Sequence, residues 1–125
     1  MKNQIILLSG VIFMALAVLL GAFGAHALKT ILSPEMLAIY HSGVEYQFYH
    51  ALGLLAVGII GLHYPSKWIR LSGIFLVAGI VLFSGSLYVL SLSGIKTLGA
   101  ITPLGGLAFV AGWISLAVGI IQWKK

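Results

Sequence analysis

The sequence predicts an all-α integral membrane protein: a four-helix bundle with an additional amphipathic helix between the first and second transmembrane helices. Of its 125 residues, 61% are hydrophobic and only 7% are charged, and the mean hydropathy is +1.14. Soluble domains carry about 25% charged residues, so the few charged side chains cannot cover a globule of this size in water. Long apolar runs alternate with short polar connections, and we expect residues 1–125 to form a single transmembrane domain.

The first predicted transmembrane helix covers residues 4–24, a run with no charge after Lys2. About 20 apolar residues are enough to cross the bilayer core. The alternative is a signal peptide, because Ala25, His26 and Ala27 resemble a cleavage site. The apolar run is longer than the roughly 7–15 residues typical of a signal peptide, so we expect a spanning helix.

A second helix is predicted to begin at Ser33, as N-cap, with Pro34 in its first position and Glu35 near the positive end of its dipole. Residues 33–44 form an amphipathic segment with a single apolar stripe, which we expect to lie at the outer membrane surface. The stripe consists of Leu37, Tyr40 and Val44.

The second transmembrane helix is predicted at residues 44–62. The fully apolar part of this segment, residues 51–62, is too short to cross a bilayer. A spanning helix must therefore include Glu45, Gln47 and His50, which places these polar side chains at or inside the membrane boundary.

Two further transmembrane helices are predicted at residues 69–92 and 101–123. Pro65 separates the second helix from the third, and Tyr64, Trp68 and Trp123 suit the membrane interface. Basic residues in the connections are unequally distributed, five on one side against two on the other, which predicts that both termini lie in the cytoplasm. The larger group is Lys2, Lys67, Arg70, Lys124 and Lys125; the smaller is Lys29 and Lys96.

Small residues recur on one face of every predicted span. Gly105, Gly112 and Gly119 repeat every seven residues in the fourth span. Such faces let helix backbones approach closely in lipid, where the hydrophobic effect does not drive helices together. We expect them to form the helix–helix contacts, and they also offer a surface for oligomerisation.

The candidate functional residues cluster between residues 26 and 50, which hold three of the four histidines and both acids. Ionisable groups at membrane depth are costly and often functional. In a continuous helix, His41 and Glu45 share one face because they are four residues apart. We predict no catalytic residue and no metal ligand. The candidate polar cluster is His26, His41, Glu45, Tyr49 and His50.

Four interpretations of this cluster remain open. The residues can satisfy one another and lock the end of the bundle, since buried polar groups need partners. They can hold a metal or haem, although their spacing matches no named motif. They can move a proton or solute, with His and Glu as titrating groups. They can also bind a lipid head group, a quinone or a partner protein.

Four stretches are similar to one family of small membrane proteins: GAFGAHALK (21–29), EYQFYHALGLL (45–55), SGSLYVLSLSG (84–94) and LGAITPLGGLAFVAGW (98–113). They resemble domain of unknown function 423, also called uncharacterised protein family 0382, to which transmembrane protein 256 of animals is related. The resemblance covers nearly the whole chain. It implies a multi-pass protein of the bacterial inner membrane, and it carries over no activity, ligand or catalytic residue.

The function we expect is non-enzymatic: a structural or accessory component of a membrane assembly, or a lipid organiser. The alternatives are an oligomeric transporter or proton- or solute-handling protein that uses the His/Glu cluster, and a redox subunit that binds haem, a metal or a quinone. We leave the cofactor unknown. The expected partners are the lipid bilayer and either further copies of the chain or a larger complex. Nucleic acid is not expected, because the basic residues stand singly in connections.

Overall fold

Every long element of the chain is helical, as the composition predicts. The computed structural model describes residues 2–124. Two short 3-10 turns, at Leu28–Thr30 and Lys96–Ala100, lie in connections, and one turn of π-helix, Ile80–Ser84, joins two helices without a break. The α-helices are α1 (Asn3–His26), α2 (Pro34–His63), α3 (Lys67–Gly79), α4 (Gly85–Ser93) and α5 (Thr102–Ile121).

Within residues 2–124, three helical segments are long and apolar enough to cross a membrane: Asn3–His26, Lys67–Ser93 and Lys96–Ile121. The second of these is α3, the π turn and α4 together. The remaining long helix, α2, has 30 residues but is more polar, because it carries both acids, Gln47 and three histidines. The protein is therefore a multi-pass membrane protein.

A separate amphipathic helix at residues 33–44 is not confirmed, because this segment is the first part of α2. The predicted start of the helix is correct: the Ser33 hydroxyl oxygen accepts a hydrogen bond from the Met36 amide at 3.2 Å, and Pro34 occupies the first position. No proline follows until Pro65, so nothing in the sequence interrupts the helix near residue 44.

The helices alternate in direction along the chain, and glycines lie where they touch. Gly10 of α1 faces Leu55 of α2 at 3.0 Å, measured from a Cβ placed on the glycine. Near the other end of this pair, Gly24 lies against Tyr40, so α1 and α2 are antiparallel. Glycines of α5 pack in the same way on α3 and the π turn: Gly105 on Phe83, Gly112 on Leu76 and Gly119 on Ile69. The predicted role of the small residues in helix packing is confirmed.

The interior has two apolar clusters, one at mid-depth and one near the connection between α1 and α2. The first includes Ile6, Leu54, Leu76 and Phe109, from four different helical segments. The second contains Leu28, Tyr40 and Val44. Large apolar side chains also cover the outside of the bundle, as expected of a surface in contact with lipid; examples are Leu19, Leu107 and Ile121.

Candidate functional site

The buried face of α2 decides which polar side chains enter the bundle. Buried residues recur along α2 at steps of three or four, the spacing of one helix face packed on neighbours. Glu45 lies away from this face and is exposed. The buried positions are Tyr40, Gly43, Val44, Gln47, His50, Ala51, Gly53, Leu54, Val57, Gly58 and Gly61.

The five predicted site residues do not all meet. His26, the last residue of α1, is exposed, as are Glu45 and Tyr49, whereas His41 is half-buried. His41 and Glu45 do lie one turn apart on the same continuous helix, as their spacing predicted. Within residues 2–124, no group of three His, Cys, Asp or Glu side chains is arranged to hold a metal ion. Of the five, only His50 is buried.

The imidazole of His50 is packed between aromatic rings. Its Nδ1 donates a hydrogen bond to the Tyr46 carbonyl oxygen at 2.7 Å, and a carbonyl can only accept, so Nδ1 carries the hydrogen. The ring stacks on Phe109, with 3.5 Å between centroids and 9° between planes, and Trp113 lies 5.7 Å away. This arrangement fixes the ring against α5 and gives His50 a role in packing.

Gln47 joins three helices near the middle of the bundle, and it is only 2% exposed. Its side-chain Nε2 donates to the Phe13 carbonyl oxygen of α1 at 2.8 Å. Its Oε1 accepts a hydrogen bond from the Tyr88 hydroxyl of α4 at 2.6 Å. Gln47 thus connects α1, α2 and α4 through one amide.

Two further hydrogen bonds link the part of α2 that precedes Gln47 to neighbouring helical segments. The Tyr40 hydroxyl donates to the Leu20 carbonyl oxygen at 2.5 Å, and the Ser84 hydroxyl donates to the Gly43 carbonyl oxygen at 2.6 Å. Such bonds between membrane helices contribute about 0.6 kcal/mol on average and up to about 1.7 kcal/mol. We refer to Tyr40, Gln47, Ser84 and Tyr88 as the interhelical network.

None of the interhelical network is among the candidate residues predicted from the sequence, although one feature of the sequence indicates that Gln47 is buried. The apolar stripe on this part of α2 consists of Leu37, Tyr40 and Val44. When the stripe is continued by three residues, it reaches Gln47. A polar residue on an otherwise apolar face predicts a buried hydrogen bond. Nothing local in the sequence indicates that Tyr88 is its partner, because the two residues are 41 positions apart.

A groove opens sideways between α1 and α4, toward the surrounding lipid. Its volume is about 260 Å³, and Gln47 and Tyr88 contribute the polar side chains of its lining. A Cβ added to Gly85 would meet nothing within 4 Å, whereas the glycines at helix contacts face a neighbour. We call this the lateral groove; its lining is Phe13, Leu16, Leu20, Gln47, Ile80, Val81, Gly85 and Tyr88.

The π turn immediately precedes the open part of the lateral groove. It covers Ile80–Ser84, and Gly85 follows it directly. A π turn adds one residue to the helical repeat and is often found at functional sites. Its last residue, Ser84, bonds inward to α2, whereas Ile80 and Val81 of the turn line the groove together with Gly85. The π turn therefore contributes both to an inward contact and to the wall of the groove.

Comparison with protein-family models identifies the family. The model described as "Protein of unknown function (DUF423)" matches residues 20–106. The chain belongs to this family. The match includes the end of α1, all of α2, α3 and α4, and the start of α5. It therefore contains the whole interhelical network and the lining of the lateral groove except Phe13 and Leu16.

Relatives that carry the family's other designation match nearly the whole chain. The UPF0382 membrane protein YwdK of Bacillus subtilis is 45% identical over 121 residues, which are 96% of this chain and 98% of the relative. The UPF0382 membrane protein SSP2132 of Staphylococcus saprophyticus is 44% identical over 121 residues, covering 95% and 98%. The UPF0382 inner membrane protein YgdD of Escherichia coli K12 is 42% identical over 118 residues, covering 94% and 87%. No solved structure matches the chain. The resemblance inferred from the four motifs is thus confirmed.

Proposed function

We propose that the protein is a non-enzymatic accessory component of a membrane assembly and that all four long helices cross the bilayer. The low hydropathy of α2 is compatible with spanning, because Gln47 and His50 are buried in the bundle and do not meet lipid. Its outward residues Leu52, Ile59 and Leu62 are apolar and exposed. At 1.5 Å per residue, residues 44–63 are long enough for a hydrocarbon core of about 30 Å.

The location we propose is the bacterial inner membrane, with both termini in the cytoplasm. The relative from E. coli is named an inner membrane protein, and the alternating helix directions bring Lys2, Lys67, Arg70 and Lys124 to the same end of the bundle. The opposite end carries Lys29 and Lys96 with both acids. The positive-inside rule favours the first end for the cytoplasm.

A single observation carries the accessory role: the polar side chains of the interhelical network are bonded to other helices. Each of the four makes a hydrogen bond of 2.8 Å or shorter to a different helix. Polar groups engaged in this way stabilise packing and are poorly placed to bind a substrate. The transporter and redox alternatives depend on histidines and Glu45, and these side chains are dispersed over inward and outward faces.

The lateral groove supplies the surface through which such a component would act, and we assign it to a transmembrane helix of another protein. The groove opens toward lipid and is lined mainly by apolar side chains. Gly85 leaves room for close approach of a backbone, and small residues of this kind are typical of helix contacts in membranes. The glycines at the internal helix contacts also allow close approach of a backbone, but neighbouring helices of this chain already cover them.

Photo-crosslinking in intact membranes tests this function. A photoreactive amino acid replaces Leu16 or Val81 in the groove, and Leu107, an exposed residue of α5, is the matched control. We expect a discrete protein adduct from the two groove positions and only lipid adducts from Leu107. A product of twice the chain mass would instead assign the groove to a second copy. Lipid adducts alone at all three positions would contradict the proposal.

A further inference from the structure

The end of the bundle where α1 and α3 begin carries a cleft lined by basic and polar side chains. The cleft has a volume of about 300 Å³ and is lined by Lys2, Asn3, Pro65, Ser66 and Arg70. Asn3 is held in place because its amide donates to the Gly61 carbonyl oxygen at 2.7 Å. Two cationic side chains, one immediately before α1 and one in α3, thus line a single open space.

A second cleft lies on the other side of Arg70. It has a volume of about 350 Å³ and is lined by Lys67, Arg70, Leu71 and Ile74. Its two cationic residues belong to the first turn of α3, and its apolar residues follow along the same helix toward the middle of the membrane. This cleft therefore changes from charged to apolar with depth, as a phospholipid does.

The positive charge at this end is not balanced by acids of the chain. Both acidic residues, Glu35 and Glu45, belong to the first half of α2, which lies at the opposite end of the bundle. Tyr64 and Trp123 stack at 5.1 Å between centroids at this end, and aromatic pairs of this kind mark the level of the head groups. The clefts are therefore positioned where lipid phosphates lie.

We propose that the two clefts form one binding site for an anionic phospholipid. The phosphate lies against the Arg70 guanidinium, with Lys2 on one side and Lys67 on the other, and an acyl chain follows Leu71 and Ile74. Arginine binds phosphate through paired N–H donors, and basic pockets between membrane helices recognise anionic head groups. The first turn of α3 also places the positive end of the helix dipole beside the basic side chains.

Native mass spectrometry of the purified full chain tests the site. The protein is released from nanodiscs that contain equal amounts of phosphatidylglycerol and phosphatidylcholine, and the retained lipid is identified. Arg70→Gln removes the central cation. Lys96→Gln removes one positive charge from the opposite end and is the matched control.

We expect wild type and Lys96→Gln to retain phosphatidylglycerol preferentially, and Arg70→Gln to lower that retention about fivefold, since one cation near the surface contributes about 1 kcal/mol. Arg70→Lys keeps the charge and should restore part of the preference. If Arg70→Gln does not fold, Lys67→Gln is used in its place. The proposal would be overturned if wild type retained the two lipids equally. It would also be overturned if Arg70→Gln and Lys96→Gln lost the same amount of phosphatidylglycerol. Displacement of the lipid by millimolar inorganic phosphate would assign the site to a free anion instead.

Discussion

Two buried serines of the helix Lys67–Ser93 should respond in opposite ways to replacement by alanine. Ser72 and Ser84 are both 0% exposed. The Ser84 hydroxyl donates to the Gly43 carbonyl oxygen at 2.6 Å. The Ser72 hydroxyl oxygen is the one buried side-chain polar atom, among residues 2–124, without a hydrogen-bond partner. We predict that Ser72→Ala stabilises the protein and that Ser84→Ala destabilises it relative to Ser72→Ala.

The magnitudes follow from the contacts. Burying a hydroxyl without a partner costs about 1–3 kcal/mol in protein mutational data, and the lower end applies because hydroxyls of unfolded chains in detergent also find partners. Ser72→Ala should therefore raise the free energy of unfolding by about 1 kcal/mol. Ser84→Ala loses an interhelical bond of about 0.6–1.7 kcal/mol. Each variant is compared with wild type, and the opposite signs distinguish removal of an unpaired hydroxyl in α3 from loss of a hydrogen bond in the π turn.

The assay is reversible unfolding in mixed micelles, with increasing dodecyl sulfate and helicity followed by circular dichroism. Wild type and both variants are measured under one set of conditions. The expected order of stability is Ser72→Ala, then wild type, then Ser84→Ala. A loss of stability in Ser72→Ala, or equal shifts in the two variants, would refute the assignment of a bonded and an unbonded hydroxyl.

Three further predictions use the same unfolding assay. Gly85→Ala should be neutral or stabilising by up to about 1 kcal/mol, because its Cβ meets open space. Gly105→Ala should destabilise the protein because Phe83 occupies the position of the added Cβ. Equal effects of the two substitutions would contradict the presence of open space beside Gly85. Gln47→Leu should lower the free energy of unfolding by about 1–3 kcal/mol, since it leaves the Tyr88 hydroxyl without its acceptor. An unchanged unfolding midpoint would contradict a stabilising role for the interhelical network. Glu45→Gln should leave the midpoint unchanged because Glu45 is exposed, and a large loss would show that Glu45 has a structural partner.

The helical class and the helix ends were predictable because both depend on local sequence. Apolar runs of spanning length predicted the long helices, and Ser33 with Pro34 predicted the start of α2. The glycine faces were also predictable, since close helix packing in lipid requires small residues wherever helices touch. The boundary assumed at residue 44 was not supported, because amphipathicity describes the surroundings of a helix and does not end it.

The composition of the site was harder to predict because it depends on which face of α2 is covered. Spacing correctly placed His41 and Glu45 on one side, yet the packing of α1 and α4 buries the side that carries Tyr40 and Gln47. Glu45 was a candidate because it is charged, whereas the polar side chain buried at the centre of the network is the uncharged amide of Gln47. The π turn at Ile80–Ser84 has no local signature such as proline, and it became apparent only in the packed helix.

The central claim is that the lateral groove receives a transmembrane helix of another protein. The most direct measurement is the yield of the protein adduct from a photoreactive residue at Leu16, compared between the wild-type background and Gly85→Leu. The larger side chain fills the open space beside Gly85. We predict that the yield falls to the level of the Leu107 control while the unfolding midpoint is not lowered. An undiminished adduct in the Gly85→Leu background would contradict the claim.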